Sequence, residues 1–228
     1  MARSRIIVIP LFLLIGIILI TTPFLVDNYF IPLSLLIMIL SFLPFIIRFE
    51  RRNVAGRELV LLAVLAAIAA VSRIPFASLP SVQPTSFVII VSALVFGAES
   101  GFVIGALAAL VSNLFLGQGP WTPWQMYAWG MIGLSAGLLR NTWIMKNIVG
   151  KVIFGFITGI LFGWLMNLWY FVSLDGSVTM AAIIAVFTTS FYFDLAHALS
   201  NVFFLLVFGN SWLKILQRFR KKYGLLDE

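Results

Sequence analysis

The residues with the most evident chemistry in this sequence are an acid, an imidazole and an amide near its C-terminal end. Asp194, His197 and Asn201 follow one another at spacings of three and four residues, which places them on one face of a helix. They lie in an apolar stretch long enough to cross a bilayer, where an acidic side chain must face protein or water. We interpret the three as a structural polar cluster that fixes helix packing; contact with a ligand or partner is the alternative.

Several kinds of chemistry are excluded by what the chain lacks. It has no cysteine and one histidine, which rules out thiolate zinc sites, disulfides, cysteine nucleophiles and multi-histidine metal centres. We therefore expect no metal and no cofactor. No G-x-S-x-G elbow and no G-x-x-x-x-G-K-[ST] phosphate loop occurs, so this chain does not hydrolyse ATP. An intramembrane enzyme working through Asp194 and His197, and a structural membrane protein without ligand, remain as alternatives from other classes.

A second group of candidate residues lies at the ends of other apolar stretches and in the loops between them. Its members are flat aromatic rings, amides and one arginine. Because Trp and Tyr favour membrane interfaces in any case, an aromatic belt explains the rings as well as a pocket mouth does. The candidate substrate-binding residues are Arg73, Gln83, Asn113, Gln118, Trp121, Trp124, Gln125, Tyr127, Asn167 and Tyr170.

The elements that must position these residues are membrane helices. The chain is 62% hydrophobic and 10% charged, against about 25% charged residues in ordinary soluble domains. Eight helices are predicted, from residues 6–26, 28–47, 60–72, 86–96, two within 100–139, 152–174 and 178–208. We divide the chain into an N-terminal transmembrane hairpin (1–50), a six-helix substrate-binding core (51–210) and a basic cytoplasmic tail (211–228). The predicted fold class is therefore an all-α polytopic membrane protein.

The distribution of basic residues predicts the orientation. If the N-terminus is cytoplasmic, fourteen of the fifteen Lys and Arg residues fall on the cytoplasmic side, and only Arg73 lies at an outer end. Both termini are then cytoplasmic in a multi-pass protein of the plasma membrane. The net charge of +7 accordingly reflects orientation and contact with anionic lipid headgroups, and no nucleic-acid partner is expected.

Small residues recur at a spacing of four on the first core helix: Ala63 with Ala67, and Ala66 with Ala70. Small side chains let membrane helices approach closely. The alanines therefore serve either internal packing or contact with a partner protein.

Taken together and in order, six features resemble the substrate-binding S component of an energy-coupling factor (ECF) transporter over about residues 54–208. They are the alanine-rich helix, Arg73-Ile74-Pro75, the glycine-rich stretch 95–105, the segment 112–120, the glycine-rich helix 129–137, and Asp194-x-x-His197-x-x-x-Asn201. The predicted hairpin at residues 1–50 departs from the minimal six-helix pattern of that family.

The resemblance implies a vitamin-sized ligand captured outside, a transmembrane T component and two cytoplasmic ATPase subunits as partners, and no enzymatic activity. It implies that the S component topples in the bilayer to deliver its ligand, and that Ala63, Ala66, Ala67 and Ala70 meet the T component. The whole chain is most similar to members that take cobalamin. Riboflavin, hydroxymethylpyrimidine, pyridoxine and a queuosine precursor remain alternative ligands.

Overall fold

The computed structural model describes residues 56–172 and 179–224, with Leu14, Ile17, Ile18, Leu36, Leu40 and Leu43 from the N-terminal part. The predicted hairpin at 1–50 thus falls almost wholly outside the described residues, as do residues 173–178. The helices are α1 (Gly56–Val71), α2 (Thr85–Phe96), α3 (Ala98–Leu116), α4 (Thr122–Leu139), the short α5 (Trp143–Lys146), α6 (Ile148–Val172) and α7 (Met180–Tyr223). No strand occurs among these residues, and the predicted all-α fold class is confirmed.

Several of these helices are suited to a bilayer by length and composition. Within the described part of the chain, four stretches are long and apolar enough to cross it: Gly56–Phe76, Ala98–Leu116, Ile148–Tyr170 and Met180–Tyr223. Helix α2 is apolar but has only 12 residues, fewer than the roughly 20 that a bilayer core requires. It is instead enclosed by protein, since 11 of those residues are buried.

Glycines bring the longer helices into backbone contact. A Cβ atom on Gly133 would overlap the backbone of Gly101, and one on Gly105 would overlap the carbonyl of Trp129, so α3 and α4 touch along this line. Between α6 and α7, a Cβ on Gly159 would lie 2.6 Å from the Cα atom of Ala198. The glycine rows predicted from sequence therefore serve internal packing.

The loop between α1 and α2 is fastened to α7. The backbone N–H of Gln83 donates to Ser200 Oγ at 3.0 Å, and that hydroxyl is 3.1 Å from the Gln83 carbonyl oxygen. Thr85 Oγ1 donates to the carbonyl of Ala69 at 3.1 Å, which ties the start of α2 to α1. Ser200 is 20 residues into α7, so α2 begins about 30 Å along that helix.

Helix α7 extends into the predicted tail (211–228) as far as Tyr223. Helix α7 has 44 residues, or about 66 Å at 1.5 Å per residue. Its basic C-terminal part packs on α2: Trp212 contacts Phe87 with ring centroids 5.7 Å apart, and Arg220 Nη1 donates to the Val95 carbonyl at 3.0 Å. The apolar residues spaced among the basic ones give this stretch a buried face. Because that face packs on the protein, the helix continues to residue 223.

We predict that Gly133→Ala destabilises the bundle, because the added methyl group would have to displace the backbone of α3. Overpacking of this kind costs about 1–3 kcal/mol. Gly209→Ala is the matched control, since a Cβ there has no atom within 4 Å. Thermal unfolding in detergent should show a lower midpoint for Gly133→Ala only. Equal midpoints would show that the α3–α4 contact is not as close as described.

Candidate ligand-binding site

A hydrogen-bond network centred on Arg73 joins the loop after α1 to the end of α3. Arg73 Nε donates to Gln83 Oε1 at 2.8 Å. Arg73 Nη1 donates to Ser112 Oγ at 2.6 Å and to Asn113 Oδ1 at 3.1 Å. Residues 10 and 40 positions away along the chain are thereby held around one guanidinium.

Asn113 extends the network to the start of α4. Its Nδ2 donates to Gln125 Oε1 at 2.7 Å and to Thr122 Oγ1 at 3.1 Å. Thr122 Oγ1 in turn donates to Gln118 Oε1 at 2.8 Å. Asn113 is 2% exposed, so its hydrogen bonds within the network replace those it would otherwise make with water.

Trp129 connects this network to α2 and α7. The guanidinium carbon of Arg73 lies 4.8 Å from the Trp129 ring centroid, a cation–π distance. Trp129 Nε1 donates to Ser86 Oγ at 3.0 Å, and that oxygen is 2.7 Å from His197 Nε2. His197, 2% exposed, also meets the Phe162 ring edge-on at 4.7 Å. Four helices, α2, α3, α4 and α7, together with the loop after α1, therefore contribute to one connected set of polar groups.

Asp194 and Asn201 face α6 instead, Asp194 lying against Gly163 and hydrogen-bonding to Ser190 of its own helix. Asp194 Oδ2 accepts from Ser190 Oγ at 3.0 Å, and Asn167 Nδ2 donates to the same serine at 2.7 Å. Asn201 Nδ2 donates to the Gly155 carbonyl at 3.0 Å. All three predicted cluster residues are buried on α7, but His197 faces the Arg73 network while the other two face α6.

The predicted aromatic residues divide between interior and surface. Trp124 is fully buried, and its Nε1 has no hydrogen-bond partner among the described residues. Tyr127 is also buried. The rings of Trp121 and Trp169 lie 5.9 Å apart and join the start of α4 to α6. Tyr170 is 48% exposed and, with Asn167, lines a separate groove of about 570 Å³ between α6 and α7.

The structure thus brings together half of the predicted substrate-binding residues and separates others. Arg73, Gln83, Asn113, Gln118 and Gln125 share one network, whereas Asn167 and Tyr170 belong to the other groove. Sequence reasoning missed the hydroxyls of Ser86, Ser112 and Thr122 as site residues. Small hydroxyls in membrane helices commonly bond to their own backbone, as Ser112 does to the Ala109 carbonyl at 3.1 Å. The presence of a serine or threonine therefore does not by itself indicate a site residue.

The alanines of α1 form two adjacent rows, one exposed and one buried. Ala63 and Ala67 are exposed. Ala66 and Ala70 are 2% and 0% exposed and pack inside the protein. Adjacent helix positions differ by about 100°, so Ala66 is buried while Ala67 is exposed; the expected contact of all four alanines with a partner stays a prediction.

Comparison with known proteins assigns a family to this arrangement. A family model described as "ECF transporter, substrate-specific component" matches residues 57–209. A UPF0397 protein of Aliivibrio fischeri is 25% identical over 186 residues, which cover 77% of this chain and 98% of that protein. A UPF0397 protein of Vibrio atlanticus is 28% identical over 91 residues, 38% of this chain and 50% of that protein. No solved structure matches the chain.

We predict that Asn113→Ala weakens the fold, because it removes an acceptor from Arg73 and a donor from Gln125 and Thr122. Leaving buried polar partners unsatisfied costs about 1–3 kcal/mol. Asn210→Ala on the exposed side of α7 is the matched control. Unfolding midpoints should fall for Asn113→Ala and stay near the wild-type value for Asn210→Ala. A wild-type midpoint in Asn113→Ala would mean that this network does not hold α3 to α4.

Proposed function

Because the chain belongs to the substrate-specific component family of ECF transporters, we propose that it captures a vitamin or vitamin precursor outside the cell and delivers it inward. The protein is a substrate-binding subunit of a membrane transporter and not an enzyme, so the alternative of catalysis through Asp194 and His197 is excluded. Members of this family work with a transmembrane T component and ATPase subunits.

The observation that carries the proposed binding site is the convergence of four helices and the loop after α1 on Arg73 and its neighbours. Amide, hydroxyl and guanidinium groups meet there beside the ring of Trp129. A few placed polar groups next to aromatic surface are what small-molecule sites use to orient a ligand. By the distribution of basic residues this end of the bundle is the outer one, and both termini are cytoplasmic.

For the ligand itself we propose cobalamin. The support is the similarity of the whole chain to members that take cobalamin, together with the tryptophans at the start of α4 and on α6, which suit a large flat ligand. The rings of Trp121 and Trp169 pack together near this site. Riboflavin, hydroxymethylpyrimidine, pyridoxine and a queuosine precursor are the competing ligands.

For the T-component contact we propose the outward row of α1, Ala63 and Ala67. Both alanines are exposed and are flanked by the exposed apolar side chains of Val60, Val64 and Ile68. A row of small residues within an apolar surface allows a second helix to approach closely in lipid. Ala66 and Ala70 support this row from inside the bundle.

We predict that Ala67→Leu reduces co-purification of the T component, because the larger side chain separates two helices that must touch. Ala181→Leu, on the exposed start of α7, is the matched control for added bulk in lipid. Ligand binding to the isolated Ala67→Leu protein should be unchanged, since Ala67 lies outside the polar network. Full recovery of the T component with Ala67→Leu would place the contact on another face.

We predict that the chain alone binds solute but does not accumulate it, because it carries no phosphate loop and the ATPases belong to other subunits. Proteoliposomes with the complete complex should accumulate radiolabelled cobalamin only when ATP is present on the ATPase side. Complex with an ATPase disabled in its phosphate loop is the control. Uptake by the isolated chain under a proton gradient would contradict the proposed mechanism.

A further inference from the structure

In the part of the chain that the structure describes, neutral partners hold the guanidinium of Arg73. Its three hydrogen-bond acceptors are the amide oxygens of Gln83 and Asn113 and the hydroxyl of Ser112, and its face lies on the Trp129 ring. Within the described residues no carboxylate pairs with it: Asp194, the acid on α7, accepts from Ser190 instead. Among these residues, a full positive charge near the end of a membrane helix therefore has no counter-charge.

One nitrogen of this guanidinium is still available. An arginine has five N–H donors, and the bonds made by Arg73 come from Nε and Nη1. Nη2 bonds to none of the described residues, and it is not among the fully buried polar atoms that lack a partner. Its two N–H groups are thus accessible, while the rest of the guanidinium is oriented by four fixed contacts.

These observations indicate which kind of ligand group would pair with Arg73. An unpaired cation in an apolar setting is costly, and an anion placed against it forms charge-assisted hydrogen bonds that are about twice as strong as neutral ones. Because the side chain is already oriented, little further ordering is needed when the anion arrives. Resting on the function proposed above, we propose that Arg73 binds an anionic group, a carboxylate or a phosphate, of the transported solute.

The competing ligands differ in whether they carry an anionic group that Arg73 could bind. Cobalamin carries a phosphodiester, whereas riboflavin and hydroxymethylpyrimidine have no anionic group at neutral pH and the phenolate of pyridoxine is balanced by its own pyridinium. An Arg73 anchor therefore favours cobalamin or a vitamin that is itself an acid. A neutral ligand would leave the guanidinium unpaired in the bound state.

The deciding experiment uses inorganic phosphate as the probe, so that its outcome does not depend on knowing the solute. The unfolding midpoint of the purified chain in detergent is measured as phosphate is added at constant ionic strength. A ligand that binds only the folded state raises the midpoint with its concentration. We expect a rise for wild type, a smaller rise for Arg73→Lys and none for Arg73→Gln. A flat wild-type titration, or an equal rise in Arg73→Gln, would overturn the anion site.

Two further variants keep this test informative if Arg73→Gln folds poorly. Arg57→Gln removes an exposed arginine at the other end of α1 and should respond to phosphate as wild type does. Asn113→Asp places a carboxylate where Asn113 Oδ1 now lies 3.1 Å from Arg73 Nη1. That internal counter-charge should abolish the response to phosphate, whatever the loss of the Asn113 amide donor to Gln125 and Thr122 does to the midpoint itself. A normal phosphate response in Asn113→Asp would contradict the proposal.

A second arm identifies the source of the anion, because a phospholipid headgroup presents the same chemistry as a solute phosphate. Binding of cobalamin and of cobinamide, which lacks the phosphodiester, is compared in wild type and Arg73→Gln. We expect cobalamin to bind at least tenfold more tightly than cobinamide, and that advantage to vanish in Arg73→Gln. Phospholipid retained in an Arg73-dependent way, with no preference for cobalamin, would overturn the assignment to the solute.

Failure of the anion site at Arg73 can be distinguished from failure of the proposed transport function on which it rests. If the complete complex accumulates a neutral vitamin and Arg73→Gln does not change its affinity, the anion anchor fails while the transport function stands. If the complex accumulates no vitamin at all, the transport function fails, whatever phosphate does to the isolated chain.

Discussion

A positive charge held inside a helix bundle by neutral acceptors is the interaction on which this structure depends most. Arg73 bonds to Gln83 within its own loop, and it connects that loop to α3 through Ser112 and Asn113 and to α4 through the face of Trp129. Through Trp129 and Ser86 the same set of contacts reaches His197 on α7. Because the loop, α3 and α4 meet at one guanidinium, and α2 and α7 join through Trp129, whatever neutralises its charge also acts on the packing of these helices.

Close helix packing makes this convergence possible. Backbone contact at Gly101, Gly105 and Gly133 lets α3 and α4 lie against one another, which brings Asn113 within hydrogen-bond distance of Gln125. A longer interhelical distance would leave these amides unpaired in an apolar interior, where each unsatisfied group is costly. Small residues thus act on the polar network indirectly, by setting the distance between the helices that carry it.

The two alanine rows of α1 show how one helix serves two environments. The buried row packs against the bundle, and the exposed row lies among valines and isoleucine that are suited to lipid or to another membrane helix. A subunit that docks reversibly on a partner within the bilayer needs such a surface to be apolar in both states. The polar groups of the described core are correspondingly directed inward, with Asp194, His197 and Asn201 all buried.

The sequence by itself determined the class of the protein and the course of most helices. Long apolar stretches, a break at Gly117–Pro123 and the clustering of basic residues were sufficient, because the bilayer imposes length and charge rules that act locally along the chain. The same local rules explain why the predicted spans at 60–72 and 86–96 agree with the observed α1 and α2 to within a few residues.

Only the tertiary structure decided which polar residues meet. Spacing placed Asp194, His197 and Asn201 on one helix face, yet it could not tell that His197 turns to Ser86 while the others turn to α6, because that depends on which neighbour packs on each side. The spacing of the alanines on α1 likewise predicted two rows, but it could not tell which row is buried and which is exposed. The pairing of Arg73 with residues 39 and 40 positions away follows from the close approach of whole helices, a property that no local pattern in the chain contains.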